Sequence, residues 1–500
     1  MSATALLTRR YLAEYARRPI NLVLLVVVPM VFVGLASDAI LNFAELLGGT
    51  TDTSQLASVT AGWAAAFLAG VSGFFHVFDS REVDRRVAAA GMGTRRIASA
   101  RLLSGLCLVL LASAAAVIAL VVRNGIDDPG RALAGTVMFA VIYLGIGVTI
   151  GAVVKSDING SLVVVFIWML DVFLGPSMAG SDIWITRLFP THFVSLVMSA
   201  AGSDHGGPLS DLGWSAAWTL GAVGVAAAVF ATATSNRRAL HPSHHQSVTW
   251  RRMRAGLRFG FREYRRNIAM WVMLIVLPVF FISLSFYVTP NDPAPIEVHQ
   301  NGVTTVKVVT MIDVHGALMV PITIGFLAGL AGLFVVQGSL QADARLALAG
   351  FRSREILASR LGVISLAALL TTAVSLAVTA VDFEPQGWVW FTVGNALVAL
   401  TYGMVGVLVG VLFGRLGGLY VMFLIPFIDV GLGQNVMFSA APPAWGIFLP
   451  ARGSAQILVD AAFTPDFDQT NALILALAWL IGLVVVTSVV FRRIAEPSRA

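Results

Sequence analysis

Two aspartates placed deep inside apolar stretches are the ionisable residues with the clearest potential for chemistry. Asp171 and Asp429 occupy the similar contexts LDVFLG and IDVGLG, each about eleven residues into its apolar stretch. A charged side chain at the centre of a bilayer costs about 2.5–3.5 kcal/mol on insertion scales, so its presence at two matching sites indicates a role. Either the two carboxylates face a substrate cavity and attract a cationic group, or they accept internal hydrogen bonds that fix helix packing.

Short motifs for catalysis or nucleotide binding are absent from the sequence. The only Lys-Ser pair, Lys155-Ser156, lacks the glycines of a phosphate-binding loop, and no G-x-S-x-G or H-E-x-x-H occurs. His241, His244 and His245 are close together, but no Cys or carboxylate lies nearby to complete a tetrahedral metal site. The sequence therefore predicts no enzyme, no metal site and no cofactor in this chain.

Two charged loops repeat the same residues at a constant offset of 259. Residues 67–101 align without a gap with residues 326–360, and sixteen of the 35 positions are identical. The shared loop residues are Asp84, Arg86, Gly91, Arg95, Ile97 and Arg101 in the first copy, and Asp343, Arg345, Gly350, Arg354, Ile356 and Arg360 in the second. The shared Asp, Gly and Ile predict a shaped surface on which a partner docks twice. The alternative is a duplication that simply left both copies similar.

The composition shows what surrounds these residues. Of the 500 residues, 12% are charged and 57% are hydrophobic, and the mean hydropathy is +0.83. An average soluble domain has about 25% charged and about 45–50% apolar residues. A soluble enzyme, a disordered chain and a collagen are therefore excluded, and a polytopic membrane protein remains. The single cysteine, Cys107, cannot form an intramolecular disulfide.

Twelve apolar stretches are long enough to cross a bilayer, which takes about 20 helical residues. They lie near 20–40, 57–78, 103–123, 132–154, 160–178, 212–232, 268–288, 315–336, 361–381, 388–413, 417–435 and 471–491. The fold class predicted from the sequence is accordingly an all-α polytopic membrane protein with twelve transmembrane helices.

The basic residues predict which loops face the cytoplasm, because loops rich in Arg and Lys stay inside. With the N-terminus inside, 28 of the 33 basic residues fall in cytoplasmic segments. The cytoplasmic segments then carry a net charge of +19 and the outer ones −11. Adding or dropping one span would destroy this segregation. We therefore predict a multi-pass protein of the cell membrane with both termini in the cytoplasm.

The repeat divides the chain into two six-span halves. Beyond the loops, Tyr143 matches Tyr402, and the two aspartates match each other. Six spans are an even number, so the halves have the same orientation and form two parallel pseudo-repeats. The predicted domains are a first half at 1–234, a cytoplasmic linker with an amphipathic helix at 235–267, and a second half at 268–500. The amphipathic helix either anchors the next span or has a mechanical role.

This order of features resembles the ABC-2 type permeases, the membrane subunits of ATP-driven exporters. Its layout is most similar to the fused permeases of the tetronasin-resistance type, linked to antibiotic efflux. The resemblance implies elbow helices at 250–267 and before Pro19, and coupling helices in the repeated loops. It also implies short re-entrant helices in 179–211 and 436–470, near Phe189-Pro190 and Leu449-Pro450. Most members of this family carry one six-span unit per chain and dimerise, whereas this chain carries both.

The expected function is therefore that of a transmembrane permease subunit of an ATP-binding-cassette exporter. It would move a hydrophobic or amphiphilic compound, such as a drug, an antibiotic or a lipid-like molecule, out of the cell. The expected partners are two copies of a cytoplasmic ATPase subunit, which would hold the ATP and Mg, together with membrane lipid and the small-molecule substrate. No nucleic acid is expected to bind. The alternative is an ion-coupled secondary transporter of the 6+6 major facilitator kind, with Asp171 or Asp429 as proton carrier.

Overall fold

The computed structural model of the protein describes residues 3–46, 53–126, 128–179, 184–199, 208–235, 268–300, 302–348, 353–436 and 443–495. The chain falls into two compact units, Met1–Pro242 and Ser243–Ala500. In the described ranges, nine helices are long and apolar enough to cross a membrane. The protein is a polytopic, predominantly helical membrane protein, as predicted. The linker at 235–267 lies, beyond Ser235, outside the described residues, as do the histidine cluster and the elbow helix predicted at 250–267.

The described part of the first unit consists of helices and one short 3-10 turn, Trp184–Leu188. Its helices are α1 (Ala3–Ala16), α2 (Pro19–Leu46), α3 (Thr53–Phe78), α4 (Arg81–Ala89), α5 (Thr94–Asn124), α6 (Pro129–Val153), α7 (Asp157–Phe173), α8 (Pro176–Ala179), α9 (His192–Ser199) and α10 (Pro208–Ser235). Polar residues begin two of the spans. Asp128 caps α6 by accepting a hydrogen bond from the Arg131 N–H at 3.1 Å, and Ser156 caps α7 in the same way.

Helix α3 is the centre of the first unit, since 89% of its apolar window is buried, against 11% for α10. It packs most closely against α6 at a pair of glycines. A Cβ atom on Gly147 would overlap the carbonyl oxygen of Gly70. Small residues allow helix backbones in a membrane to approach this closely, and the glycines therefore set the α3–α6 contact.

In its described residues, the second unit contains six α-helices and a two-stranded sheet. They are α11 (Ile268–Val288), β1 (Pro293–Gln300), β2 (Val303–Thr310), α12 (Met311–Leu348), α13 (Ser353–Asp382), α14 (Trp388–Pro426), α15 (Arg452–Phe463) and α16 (Thr470–Ala495). A π-helical segment, Phe427–Gly433, continues α14, and a 3-10 turn covers Ala444–Phe448. Here α12 and α14 meet as α3 and α6 do, because a Cβ atom on Gly406 would overlap the carbonyl oxygen of Gly329.

Three predicted spans differ from the observed helices in length or continuity. The span predicted at 160–178 ends at Phe173, because Gly175 and Pro176 follow and the proline ring cannot continue the same helix. The spans predicted at 388–413 and 417–435 follow each other without a connecting loop. They form one helical run that is broken at Gly414, where φ is +72°. That left-handed conformation favours glycine, and it separates the run into two helices.

The hairpin of β1 and β2 is a small addition to the helical fold that the sequence did not predict. The strands pair antiparallel from Pro293 opposite Thr310 to Gln300 opposite Val303. The sequence Asn-Gly at 301–302 is typical of a hairpin turn, and Gly302 has φ +75°. The inward face of β1 carries Ala294, Ile296 and Val298, all buried. The alternation of these apolar residues with outward-facing ones is the sequence pattern that indicates a strand here.

Candidate functional site

The repeated loop of the first unit is held by a buried triad of Tyr11, Asp84 and Arg101. Arg101 donates two hydrogen bonds to the Asp84 carboxylate, from Nε to Oδ2 and from Nη2 to Oδ1, both at 2.9 Å. The Tyr11 hydroxyl donates to Asp84 Oδ1 at 3.2 Å, and its ring lies 3.5 Å from the Arg101 guanidinium carbon. The three residues come from α1, α4 and α5, so the triad joins three helices at one point.

Because the triad is buried, its charges cost free energy unless they are paired. Arg101 is 2% exposed and Asp84 is fully buried. Burial, and then the negative charge of Asp84, raises the pKa of Tyr11 to about 12, so its hydroxyl remains a neutral donor at pH 7. A buried ion pair is maintained only when its geometry is good and its remaining polar atoms are satisfied. The two-point contact and the tyrosine hydroxyl meet these requirements.

Further contacts surround the triad and fix the start of α4. His76 near the end of α3 contacts the Ser104 hydroxyl at 2.7 Å, and its ring packs edge-on against Tyr11. Arg81 donates a hydrogen bond to the Gly151 carbonyl at the end of α6 and stacks over the Phe78 ring. Burial, and then the nearby charge of Arg85, lowers the pKa of Arg81 to about 10. Helix α4 is therefore attached to α1, α5 and α6 together.

The opposite face of this loop is exposed and basic. Arg85, Arg86, Arg95 and Arg96 are exposed, and Arg86 pairs with Glu82 on the surface. Gly91 is also exposed, and it takes a left-handed conformation with φ +96° between α4 and α5. We call the exposed residues within 82–86 and 91–96, which exclude the buried Asp84, the α4 surface.

The structure thus separates the predicted docking residues of the first loop into two groups. Arg86, Gly91 and Arg95 lie on the α4 surface, whereas Asp84, Ile97 and Arg101 are buried beneath it. Buried residues shape and hold the surface instead of touching a partner. Docking by the exposed group stays a prediction. Sequence reasoning did not single out Tyr11, because the aligned position in the second half carries no tyrosine.

The second loop is described in part. Ile356 on α13 is buried, as its counterpart Ile97 is, and Arg360 is half-buried. Asp343 and Arg345 belong to α12 and Arg354 to α13, and Gly350 lies outside the described residues. Helix α12 runs without a break to Leu348, where the first unit has the separate helices α3 and α4.

Asp171 is buried near the end of α7, where it accepts three hydrogen bonds. The Tyr143 hydroxyl donates to Oδ2 at 2.8 Å, and the Thr191 hydroxyl donates to the same oxygen at 2.7 Å. The Thr191 N–H makes a longer contact, 3.4 Å, to Oδ1. Thr191 directly precedes α9, so the carboxylate connects α6, α7 and the start of α9.

Asp429 makes the corresponding contacts in the second unit. The Tyr402 hydroxyl donates to Oδ2 at 2.6 Å, and the Ala451 N–H donates to the same oxygen at 2.9 Å. The Gln434 amide donates to Oδ1 at 3.4 Å. Ala451 directly precedes α15, just as Thr191 precedes α9. We call each Asp with its Tyr and its helix start an outer bracket.

The two outer brackets show what the predicted intramembrane aspartates do within their own units. Asp171 and Asp429 are 2% and 1% exposed, and the donors described above are neutral groups. Each carboxylate lies at the start of a short helix, where the N-terminal partial charge favours an anion. These contacts match the internal hydrogen-bond alternative. Attraction of a cationic substrate stays a prediction.

A comparison with models of known protein families and one with the curated proteins find no match to this chain. Among the described residues, no group of three or more His, Cys, Asp or Glu side chains is placed to hold a metal ion.

Proposed function

We propose that this chain is the transmembrane permease subunit of an ATP-binding-cassette exporter of the ABC-2 type. Two copies of a separate cytoplasmic ATPase subunit drive it, and it moves a hydrophobic or amphiphilic compound out of the cell. The observation that carries this proposal is the α4 surface, an exposed basic surface held from beneath by the buried triad.

A docking surface transmits force only if it moves together with the membrane helices. The triad meets this condition, because Arg101 is on α5, which continues into the membrane, and Tyr11 is on the helix that leads into α2. Pushing α4 therefore pushes α1 and α5 as well. An isolated loop that served topology alone would have no need for a buried, costly ion pair.

The described helices support the twelve-span arrangement. The run Trp388–Gly433 has 46 residues, about 69 Å as one helix, more than twice the hydrocarbon thickness of about 30 Å. Its break at Gly414 lets it cross the membrane twice. Two shorter apolar helices, Asp157–Phe173 and Leu274–Tyr287, supply the remaining two spans.

Equivalent contacts in the two units support parallel pseudo-repeats. The Gly70–Gly147 approach corresponds at the offset of 259 to the Gly329–Gly406 approach. The outer brackets likewise use matching Tyr and Asp residues. Two halves with the same orientation would offer two docking surfaces on the cytoplasmic side, as a pair of ATPase subunits requires.

The outer brackets also bear on the substrate. Because both carboxylates accept hydrogen bonds inside their own units, a cationic substrate would have to displace those donors to reach them. The apolar spans therefore suit an amphiphile, such as a drug, an antibiotic or a lipid-like compound, better than a small ion. The same contacts do not favour a proton-carrying role for these aspartates in a secondary transporter.

The proposal is tested by purifying the tagged chain from its native membrane and measuring vanadate-sensitive ATP hydrolysis. We expect an ATPase subunit to copurify at two copies per chain. Arg95→Glu combined with Arg354→Glu should reduce the copurified ATPase at least tenfold, because it reverses charge on both loops. Arg123→Glu is the matched control, since Arg123 lies at the opposite end of the helix that carries Arg95.

Two outcomes would contradict the proposal. One is transport by the purified chain alone that follows a proton gradient and ignores ATP, which would identify a secondary transporter. The other is an undiminished amount of copurified ATPase subunit with the double variant, which would show that the α4 surface and its counterpart do not dock the ATPase.

A further inference from the structure

The second unit contains a polar cavity that neither the triad nor the outer brackets explain. It has a volume of about 200 Å³ and lies between β1, α15, the end of the π-helical segment and the start of α16. Six of its ten lining residues are polar: Glu297, Gln434, Arg452, Gln456, Asp460 and Gln469. The topology predicted from the sequence places these residues on the outer side of the membrane, where a polar cavity is open to soluble molecules.

Helix α15 supplies a polar stripe to this cavity. Arg452, Gln456 and Asp460 are spaced four residues apart, so they lie on one face of the helix. Arg452 is the first residue of the helix and Asp460 is in its last turn, about 12 Å further along the axis. The helix dipole has the same sense as these charges, positive at the Arg452 end and negative at the Asp460 end. The cavity is therefore electrically polarised from end to end.

The hydrogen-bonding capacity of Arg452 and Asp460 is only partly satisfied by contacts within the described protein. Asp460 is 3% exposed. Its Oδ1 accepts a hydrogen bond from the Thr464 hydroxyl and the backbone of Asp468 interacts with the carboxylate, but its Oδ2 has no hydrogen-bond partner among the described residues. Arg452 makes one long hydrogen bond, 3.4 Å to Gln434 Oε1, and no ion pair within the described part of the chain. A buried carboxylate oxygen without a donor is costly, so an unfilled position for a donor is implied.

We propose that this cavity binds a small zwitterion, with an anionic carboxylate or phosphate at the Arg452 end and an ammonium group at the Asp460 end. Glu297 on β1 adds a second negative charge and makes the ammonium essential for binding. A divalent metal fits less well, because the amide groups and the single arginine leave only two carboxylates in the lining. Gln434 connects the site to the second outer bracket, since its side chain contacts both Arg452 and Asp429.

The zwitterion has two possible sources, a soluble amino compound or the headgroup of phosphatidylethanolamine. The test uses purified full-length chain in nanodiscs of phosphatidylcholine and phosphatidylglycerol, with calorimetric titration of 6-aminohexanoate. Hexanoate, which lacks the ammonium, and hexylamine, which lacks the carboxylate, are the matched ligands. We expect 6-aminohexanoate to bind at least tenfold more tightly than either. Competition by phosphatidylethanolamine in the nanodisc would assign the natural ligand to the lipid, and its absence to a soluble compound.

Variants locate the binding to this cavity. Arg452→Gln and Asp460→Asn should each weaken 6-aminohexanoate binding at least tenfold, whereas Arg187→Gln, on an exposed turn of the first unit, should leave it unchanged. Glu297 is on the half-exposed face of the hairpin, so Glu297→Gln should not affect folding. This variant should weaken the binding of 6-aminohexanoate and hexylamine, which carry an ammonium group, and leave that of hexanoate unchanged. Equal affinity for all three ligands, unchanged affinity in the variants, or no binding at 10 mM would each overturn the proposal. None of these results depends on an ATPase partner.

Discussion

At the scale of single residues, the contrast between two ion pairs that involve α4 shows how burial decides the importance of a charge. Arg101 and Asp84 are paired inside the protein, whereas Arg86 and Glu82 form an i,i+4 pair with side chains 76% and 64% exposed. An exposed pair is screened by water and contributes little. Removing one partner of a buried pair leaves an uncompensated charge in a medium of low dielectric constant.

Arg101→Ala should therefore destabilise the protein far more than Glu82→Ala. We expect Arg101→Ala to lower the free energy of unfolding by about 3–5 kcal/mol and Glu82→Ala by less than about 1 kcal/mol, measured by chemical unfolding in detergent. Asp84→Leu combined with Arg101→Met should recover most of the loss, because no charge is then left unpaired. Equal effects of Arg101→Ala and Glu82→Ala would show that the triad does not stabilise the loop.

Asp460 predicts a pH dependence of stability. Burial raises the pKa of Asp460 from 3.8 to about 6; the charge of Asp468 raises it further, and the Thr464 hydroxyl opposes the shift. Between pH 4 and 6 the folded protein then binds more protons than the unfolded chain, so its stability decreases as the pH rises through this window. Between pH 4 and 6 the free energy of unfolding should decrease by roughly 1–3 kcal/mol.

Asp460→Asn should abolish that part of the pH dependence. The measurement is the free energy of unfolding at several pH values between 4 and 7, in the variant and in the unaltered chain. Asp466→Asn, at an exposed position of the same segment, is the control and should leave the slope as it is. A slope that persists in Asp460→Asn would assign it to another carboxylate.

At the scale of elements, the short helices α9 and α15 depend on one carboxylate each. Both follow a proline, Pro190 or Pro450, and both begin next to a residue whose backbone N–H reaches the buried aspartate of its unit. The aspartate carboxylate also interacts favourably with the positive N-terminal end of its helix, which strengthens this attachment. The outer brackets therefore set where these helices attach to the spans.

Asp171→Ala should loosen α9, and Asp429→Ala should loosen α15. Hydrogen exchange followed by mass spectrometry would detect this as at least tenfold faster exchange of the amides at 191–199 in the first variant. The amides at 451–463 should be unaffected in that variant and faster in the second, so each unit serves as the control for the other. Faster exchange throughout the chain would point to general unfolding instead of a local anchor.

At the scale of the whole molecule, the proposed topology makes specific demands on accessibility. In the proposed topology the hairpin lies outside and the α4 surface inside, and the helical run broken at Gly414 would cross the membrane twice. Val306 on the hairpin and Arg86 on α4 are both well exposed and suit labelling. Cys107, the only cysteine, can be replaced by alanine to remove the background.

In the Cys107→Ala protein, Val306→Cys should react with a membrane-impermeant maleimide on intact cells. Arg86→Cys and Arg415→Cys should react only after the membrane is permeabilised, because the proposed topology puts both positions on the cytoplasmic side. The Cys107→Ala protein without a new cysteine is the control and should remain unlabelled. Labelling of Arg415→Cys from outside would contradict the double crossing at Gly414 and the count of twelve.

Much of the architecture could be predicted from local sequence properties. Apolar length places the spans, because a bilayer requires about 20 apolar residues for a helix to cross it. The repeat at offset 259 pointed to the loop around Asp84, and the matching contexts drew attention to Asp171 and Asp429. The hairpin was not predicted, because strands of eight residues are much shorter than the apolar stretches that identify membrane spans. The Asn-Gly pair at 301–302 was nevertheless a turn signal in the sequence.

What the sequence by itself determined is therefore the membrane character and the residues that repeat, since both follow from composition and spacing along the chain. Only the tertiary structure decided which of those residues face outward. It placed Ile97 and Arg101 beneath the α4 surface, and it supplied Tyr11 from a helix about seventy residues away from Asp84. It also brought Glu297 to the same cavity as Asp460. Burial and pairing between distant segments depend on how helices pack in three dimensions, and no local pattern in the chain specifies that packing.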